Sequence, residues 1–288
     1  MKRKPTIAIV GAGRLGRSLA VALSQAGYAI EEIVTRERRS SRDQARKLAS
    51  AIGARSTTAA DARLSSKVIW FCVSDREIGN AARTLAECLR NWEGKIALHS
   101  SGALGAAELS LLEGRGAAIA SVHPMMTFVG GSQPSLRGVP FALEGDISAV
   151  RTAEKIVHDL GGESFALSAK RKPAYHAWGA FASPLLVAAL VIAEEVGKLA
   201  GVQPAEARCR MMPIIRQTVE NYAQLGPAGA FSGPLVRGDV GVVRSHLKVL
   251  RRSPEALEAY LALARIALRH LPTRSRSELK KLLGGGIR

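Results

Sequence analysis

The sequence predicts an α/β protein in which residues 1–168 form a doubly wound sheet and residues 169–288 form an all-α domain. Three observations predict it. Short β-branched apolar runs alternate with helical patterns from Thr6 to about Leu167, as in a parallel sheet covered by helices. A glycine-rich turn, Gly11-Ala12-Gly13-Arg14-Leu15-Gly16, joins the first apolar run to the first helical one. From Lys172 onward only long helical periods remain.

Taken in order, the predicted strands are Ile7 to Val10, Ile30 to Thr35, Val68 to Val73, Ile96 to Ser100, Ala117 to His123, Val139 to Leu143 and Ser164 to Leu167. Each is short, apolar and bounded by turn or helix signals. The helices between them begin near Arg14, Ser41, Arg76, Leu104 and Ile147. The domain border falls near residues 168–172, within Ser168-Ala169-Lys170-Arg171-Lys172-Pro173, where proline and clustered charge break the pattern. Beyond it, helices are predicted over Leu185 to Leu199, Pro204 to Tyr222, Val240 to Leu250 and Pro254 to Leu271, and the glycine-ended tail from Lys280 to Arg288 is expected to fray.

Composition narrows the class. With 288 residues and 47% hydrophobic residues the chain buries a sizeable core, which excludes disorder, collagen and a coiled-coil rod. Cys72, Cys88 and Cys209 are an odd, widely spaced set, which fits a reducing cytoplasm, and none is assigned a metal. Met1 to Lys4 is basic but runs straight into the first strand, so no export signal is read. The apolar stretch Ala177 to Ala193 contains Pro184 and meets Glu194 and Glu195, so it falls short of a membrane span and is expected to be a buried helical segment. The net charge of +17 is spread over both halves, a pattern of solvated helix faces or of attraction for an anionic cofactor. No nucleic-acid partner is expected, because a recognition motif and an aromatic stacking platform are both missing.

The glycine turn carries the chemistry. Gly11 makes the tight turn, Gly13 has no side chain to hold a pyrophosphate off the backbone, and Gly16 lets the helix pack closely on the strand. Ala12, Arg14 and Leu15 complete the loop, and the helix start directs its N–H groups and positive dipole at phosphate. The second strand ends Thr35-Arg36-Glu37-Arg38-Arg39. Thr35 and Arg36 occupy the positions that recognise the adenosine ribose, and the arginines attract a 2′-phosphate, so NADP(H) is the expected cofactor. The alternative is that Glu37 binds the ribose of NAD while the arginines are solvated.

Ligands of open α/β sheets collect at the carboxyl ends of the strands. There the sequence delivers Val73, Ser74 and Asp75, then His99, Ser100, Ser101 and Gly102, then His123 and Pro124. These groups either contact cofactor and substrate or cap helices and satisfy backbone groups. Lys172 and His176, four residues apart with Tyr175 between them, share a helix face and can exchange a proton with a substrate heteroatom. The alternative for Lys170 to Lys172 is an exposed basic linker. Farther on, Arg237 in the turn-rich segment Phe231 to Asp239 either pairs with Asp239 or binds an anionic substrate.

The order of the glycine loop, His-Ser-Ser-Gly at 99–102, His-Pro-Met-Met-Thr-Phe at 123–128, Lys172-x-x-Tyr175-His176-Ala177 and Ser232-Gly233-Pro234-Leu235-Val236-Arg237-Gly238-Asp239 resembles the Rossmann-like proteins whose C-terminal half is domain of unknown function 2520. Their architecture is similar to that of pyrroline-5-carboxylate reductase and the 6-phosphogluconate and β-hydroxyacid dehydrogenases, a Rossmann domain followed by a helical domain. The resemblance implies an oxidoreductase with a substrate cleft between the domains and a homodimer formed through the helical half. In β-hydroxyacid dehydrogenases a lysine on the first long helix of the second domain is the acid/base, and Lys172 is its nearest analogue. Ser183-Pro184 stands where the family commonly has Ser-Asn, which removes an amide and restarts the helix at Ser183.

The function expected is therefore hydride transfer between NADP(H) and a small carbonyl, imine or hydroxy compound. Lys172 or His176 exchanges the proton, and Ser100, Ser101 and His123 orient the substrate. The alternative is a dinucleotide-binding sensor or scaffold without turnover, for which Pro184 is the main argument.

Overall fold

The computed structural model describes residues 4–130 and 132–284. By their contacts these fall into two compact units, Met1–Ala180 and Phe181–Arg288. The strands of the first unit are β1 (Ile7–Val10), β2 (Ile30–Thr35), β3 (Arg55–Thr58), β4 (Val68–Phe71), β5 (Ile96–His99), β6 (Ala118–Pro124), β7 (Pro140–Gly145) and β8 (Glu163–Ala166). They form one sheet in the order β3-β2-β1-β4-β5-β6-β7-β8. Helices α1 (Arg14–Gln25), α2 (Arg39–Ile52), α3 (Asp75–Cys88), α4 (Ser110–Glu113) and α5 (Ile147–Asp159) cover it.

Alternation along the strands builds a core on each face. Ile7, Ile9, Trp70, Leu98 and Val122 point to one side, where they meet Leu19 of α1, Leu48 of α2 and Ile156 of α5. Their neighbours Ala8, Val10, Phe71, Ala97 and Ile119 point to the other, against Ile78 and Leu85 of α3 and Leu112 of α4. Both faces are thus buried, which is why these strands read as continuous apolar runs.

Two features of the sheet differ from the sequence expectation. The sheet is not wholly parallel: β6 and β7 are antiparallel and β8 runs parallel to β7, so the last two strands oppose the other six. The described residues between β6 and β7 hold no helix, and a parallel pair would need a crossover there. The strand β3 was not expected, because Arg55-Ser56-Thr57-Thr58 is polar; as an edge strand it needs only its pairing with β2. Helix boundaries shift slightly, with α2 beginning at Arg39 and α3 at Asp75, while the turn after Leu104 is a 3-10 helix over Ala106–Leu109.

Helix α6 (Lys172–Ala182) is divided by the contacts, its residues through Ala180 grouping with the sheet. The second unit holds α7 (Pro184–Leu199), α8 (Pro204–Ala230), α9 (Pro234–Arg237), α10 (Val240–Leu250), α11 (Pro254–His270) and α12 (Arg276–Gly284). No strand occurs there among the described residues. Ser183 leaves helical geometry (φ −129°, ψ −79°) and Pro184 opens α7, the restart that the proline requires. Gly226 interrupts α8 with φ 70°. One small core joins Val243 of α10, Leu268 of α11 and Leu279 and Leu283 of α12, and another joins Leu250 and Leu257 to Ile192, Val196 and Leu199 of α7.

Two further expectations are corrected. Lys280 to Gly284 belong to α12, held by buried Leu279 and Leu283, while residues 285–288 of the expected frayed tail lie outside the described residues, as do Met1 to Arg3. The stretch Ala177 to Ala193 is helical but not buried: Phe181 is 72% exposed and Val187 57%. Within Ala169–Leu199 an 18-residue window has a mean hydropathy of 1.7 and no buried residue, and by length and composition alone the segment could cross a membrane, although Ser183 breaks its helix.

Candidate functional site

The loop between β1 and α1 has the geometry its glycines predict. Gly11 has φ +106° and donates its N–H to the Val34 carbonyl at 2.8 Å, and a Cβ there would meet the Cys72 carbonyl oxygen at 2.7 Å. A Cβ on Gly16 would lie 1.9 Å from the Gly11 oxygen. Gly13 is different, because a Cβ there meets nothing within 4 Å and its φ is −69°. Neither packing nor backbone conformation requires glycine at 13, so the residue keeps open space in front of the start of α1. No side chain caps that start, which leaves its first N–H groups and positive dipole directed outward.

The open space is one end of a cleft of about 740 Å³ at the carboxyl ends of the strands. Of the residues predicted to bind cofactor, Gly11, Ala12, Gly13, Thr35, Arg36, Val73 and Ser74 line it. Arg14, Leu15, Gly16 and Ser100 do not; Gly16 is buried against Gly11 instead, and Ser100 accepts a hydrogen bond from Trp70 Nε1 at 2.8 Å. Sequence reading missed Gln44, Asn80, Thr84 and Cys88, which line the same cleft from helix faces that no motif marks. Glu37 lines it beside Arg36, so both candidates for the ribose edge are in place.

Next to the cleft, the register sets Phe71, His99, Ser121 and Glu144 side by side across β4, β5, β6 and β7. His99 is fully buried: Ser101 N–H donates to its Nδ1 at 3.1 Å, so its Nε2–H donates to the Gly105 carbonyl at 2.9 Å. Ser101 Oγ accepts the N–H groups of Ala103 and Leu104 in the turn ahead of the 3-10 helix, so it satisfies backbone groups and does not cap that helix. Glu144 accepts from Ala106 N–H at 2.8 Å.

Helix α6 closes onto this row. Lys172 is 1% exposed, and its Nζ donates to the Ser101 carbonyl at 3.0 Å and to Ser121 Oγ at 2.6 Å. It is therefore no part of an exposed linker, although Lys170 and Arg171 beside it are exposed. One turn along, the Tyr175 hydroxyl and Nδ1 of half-buried His123 share a hydrogen bond of 2.7 Å whose direction follows the imidazole tautomer, with the two rings edge to face. Every buried side-chain nitrogen and oxygen among the described residues has a partner, so His123 Nε2, for which none is seen, is open to solvent. His176 is exposed on the same helix. Lys172, Ser101, His123 and Tyr175 are thus brought together, and Ser121 and Glu144, which sequence missed, could have been found only from the strand register.

Burial sets the protonation states. Desolvation, then the positive Lys172, hold His123 down to about 4, and desolvation holds His99 down to about 4 despite its bond to Gly105. Desolvation lowers the Lys172 amine below the usual lysine range, against the opposing pull of Glu144 and Asp75. It pushes the Tyr175 hydroxyl up to about 12. Near neutrality both imidazoles are uncharged and the tyrosine keeps its proton.

In the second unit, Arg237 Nε donates to Asp239 at 2.8 Å across an exposed turn, so the pairing alternative holds there. Among the described residues no group of three or more His, Cys, Asp or Glu is arranged to hold a metal.

Comparison with known proteins agrees with this architecture. A model of a Rossmann-like domain matches residues 2–124, and that of a domain of unknown function (DUF2520) matches residues 139–267. No curated protein matches the chain. Among solved structures, a protein from Thermotoga maritima is 24% identical with a TM-score of 0.72, over 91% of this chain and 96% of that one. An imine reductase from Pseudomonas sp. is 22% identical with a TM-score of 0.62, over 97% and 99%. A reductive aminase from Aspergillus terreus, in complex with NADPH and ethyl-5-oxohexanoate, is 18% identical with a TM-score of 0.66, over 97% and 100%. At these identities the likeness establishes the fold.

Proposed function

Since the chain is a Rossmann-like protein with a DUF2520 C-terminal domain, we propose that it is an NADP(H)-dependent oxidoreductase acting on a small carbonyl, imine or hydroxy compound. The observation that carries the reading is Gly13, a glycine that neither packing nor φ demands, placed where a pyrophosphate would meet the start of α1. When bound, the nicotinamide supplies or accepts a hydride at C4. The solved reductive aminase, which holds NADPH in the same fold, supports the choice of cofactor.

The chain's own residues position the reactants and move the proton. Thr35 and Arg36 hold the adenosine end of the cleft, and Val73 and Ser74 line its course toward the ends of β4 and β5. His123, with Nε2 open and Nδ1 held by Tyr175, hydrogen-bonds a substrate heteroatom. His176 is the accessible partner for proton exchange. Lys172 and Ser101 are buried, and they act as positioning residues that hold the ends of β5 and β6 together, with the lowered Lys172 a reserve proton source behind Ser121. The exposed apolar faces of α7 and α8, carrying Val187, Ile214 and Tyr222, fit a second copy of the chain, and light scattering should give a dimer. Free thiols at Cys72, Cys88 and Cys209 fit a reducing cytoplasm.

The test is a panel of imines, ketones and hydroxy acids, with nicotinamide absorbance followed in both directions. His123→Ala and His176→Ala should each lower turnover about 100-fold, the lower end of general acid–base contributions, without weakening NADPH binding. Unchanged turnover rejects these roles. NADPH binding without oxidation or reduction of any compound favours a nucleotide-binding sensor instead.

A further inference from the structure

A second, smaller cavity adjoins the nucleotide cleft and shares Thr35 with it. It has a volume of about 190 Å³ and lies between α2 and the edge strand β3, lined by Arg42 and Arg46 of α2, by all four residues of β3 from Arg55 to Thr58, and by Asp61. Its charges are unequally committed. Arg55 is paired with buried Glu32 at 3.0 Å and also donates to the Asp61 carbonyl, while the Asp61 carboxylate accepts the Thr58 hydroxyl at 3.3 Å. Arg46 comes no nearer than 4.0 Å to Asp43, both largely exposed, and Arg42 makes no ion pair among the described residues. Two guanidinium groups one helical turn apart therefore face a polar cavity that holds one carboxylate.

We propose that this cavity is the subsite for a phosphate monoester, the 2′-phosphate of the bound dinucleotide, with Arg42 and Arg46 as the residues that select NADP(H) over NAD(H). The inference rests on the nucleotide reading above and moves the selecting charge from the β2 terminus to α2. Thr35 is the ridge between the two cavities, and an adenosine ribose seated at the end of β2 directs its 2′ substituent across that ridge. Arginine suits the role because its fork donates two parallel hydrogen bonds to phosphate oxygens. Thr57 and Thr58 bring hydroxyls to the same cavity. The Asp61 carboxylate opposes a phosphate in the same cavity, and the two arginines outweigh it.

Calorimetry at low salt with NADPH, NADH, 2′,5′-ADP and inorganic phosphate tests this on the full chain, comparing wild type with Arg42→Ala, Arg46→Ala and the double variant. Each single variant should weaken NADPH and 2′,5′-ADP about tenfold, the scale of one hydrogen bond to a charged group, and leave NADH unchanged. Unchanged NADH binding also shows that the variants are folded. A double variant that keeps the wild-type preference for NADPH overturns the inference while the nucleotide reading stands. Saturable binding of inorganic phosphate that NADPH does not displace overturns the assignment of the cavity to the dinucleotide. Wild type that binds neither NADPH nor NADH overturns both.

Discussion

Gly13 and Gly16 are three residues apart in one motif, yet the structure predicts opposite consequences for replacing them. In Gly16→Ala the new methyl carbon stands 1.9 Å from the Gly11 oxygen, where ordinary contact begins at 3.4 Å. The obstacle is backbone of the loop itself, so β1 and α1 must separate. Overpacking of this kind costs about 1–3 kcal/mol or more, against a gain of about 1 kcal/mol for alanine over glycine in a helix. The net effect is a lowered melting temperature. In Gly13→Val the side chain enters empty space from an ordinary φ of −69°, and stability falls by no more than about 1 kcal/mol, the cost of a poorer N-cap. Nucleotide affinity, however, should drop about 10- to 100-fold for each phosphate hydrogen bond displaced. Thermal denaturation and NADPH titration of both variants separate the two effects. A Gly13→Val protein that binds NADPH like wild type would refute the claim that a pyrophosphate approaches the backbone there.

Three more outcomes follow from the site. Lys172→Ala leaves a hole under the strand ends and should cost about 2–4 kcal/mol in chemical denaturation, whereas Lys172→Met, which keeps the volume and removes a desolvated charge, should stay within about 1 kcal/mol of wild type. His99 and His123 are held down to about 4 when folded and return to 6.5 when unfolded, so the unfolded chain binds more protons in that window. Stability should therefore be flat above pH 6.5 and decline from there toward pH 4, by about 3 kcal/mol for fully buried His99, as urea titrations at each pH will measure. Tyr175→Phe removes the hydroxyl partner of His123 Nδ1 and should lower kcat while leaving NADPH affinity intact; equal kcat in the two proteins would dismiss the pair from the reaction.

The glycine loop and the first strands were legible because strand, turn and helix each agree locally with the fold they enter. Strand β3 was not, since an edge strand needs no apolar run and Arg55 is tied down by Glu32 from a neighbouring strand. The reversal of β7 had a signal that went unused: the missing helix between Pro124 and Pro140. At the site, sequence placed His123 and Lys172 near one another but could not distinguish Lys172 from Lys170, because burial of one member of a charge run depends on which way the helix turns onto the sheet. The apolar character of residues 177–193 was plain, and its meaning was misread because periodicity reports that a face wants covering without saying what covers it.

The reversal at β7 also determines what can be rebuilt. Since β6 ends at the sheet edge that carries the nucleotide loop and β7 starts from that same edge, the connector between them has no obligation to carry the chain back across the sheet, and its residues 133–137 lie beside α1 instead. Phe128 packs on the core and Leu136 is buried in it, so the two residues act as moorings. A span tethered at both ends and free of any crossover duty tolerates exchange for segments of other lengths, so libraries that vary it leave the foundations as they are.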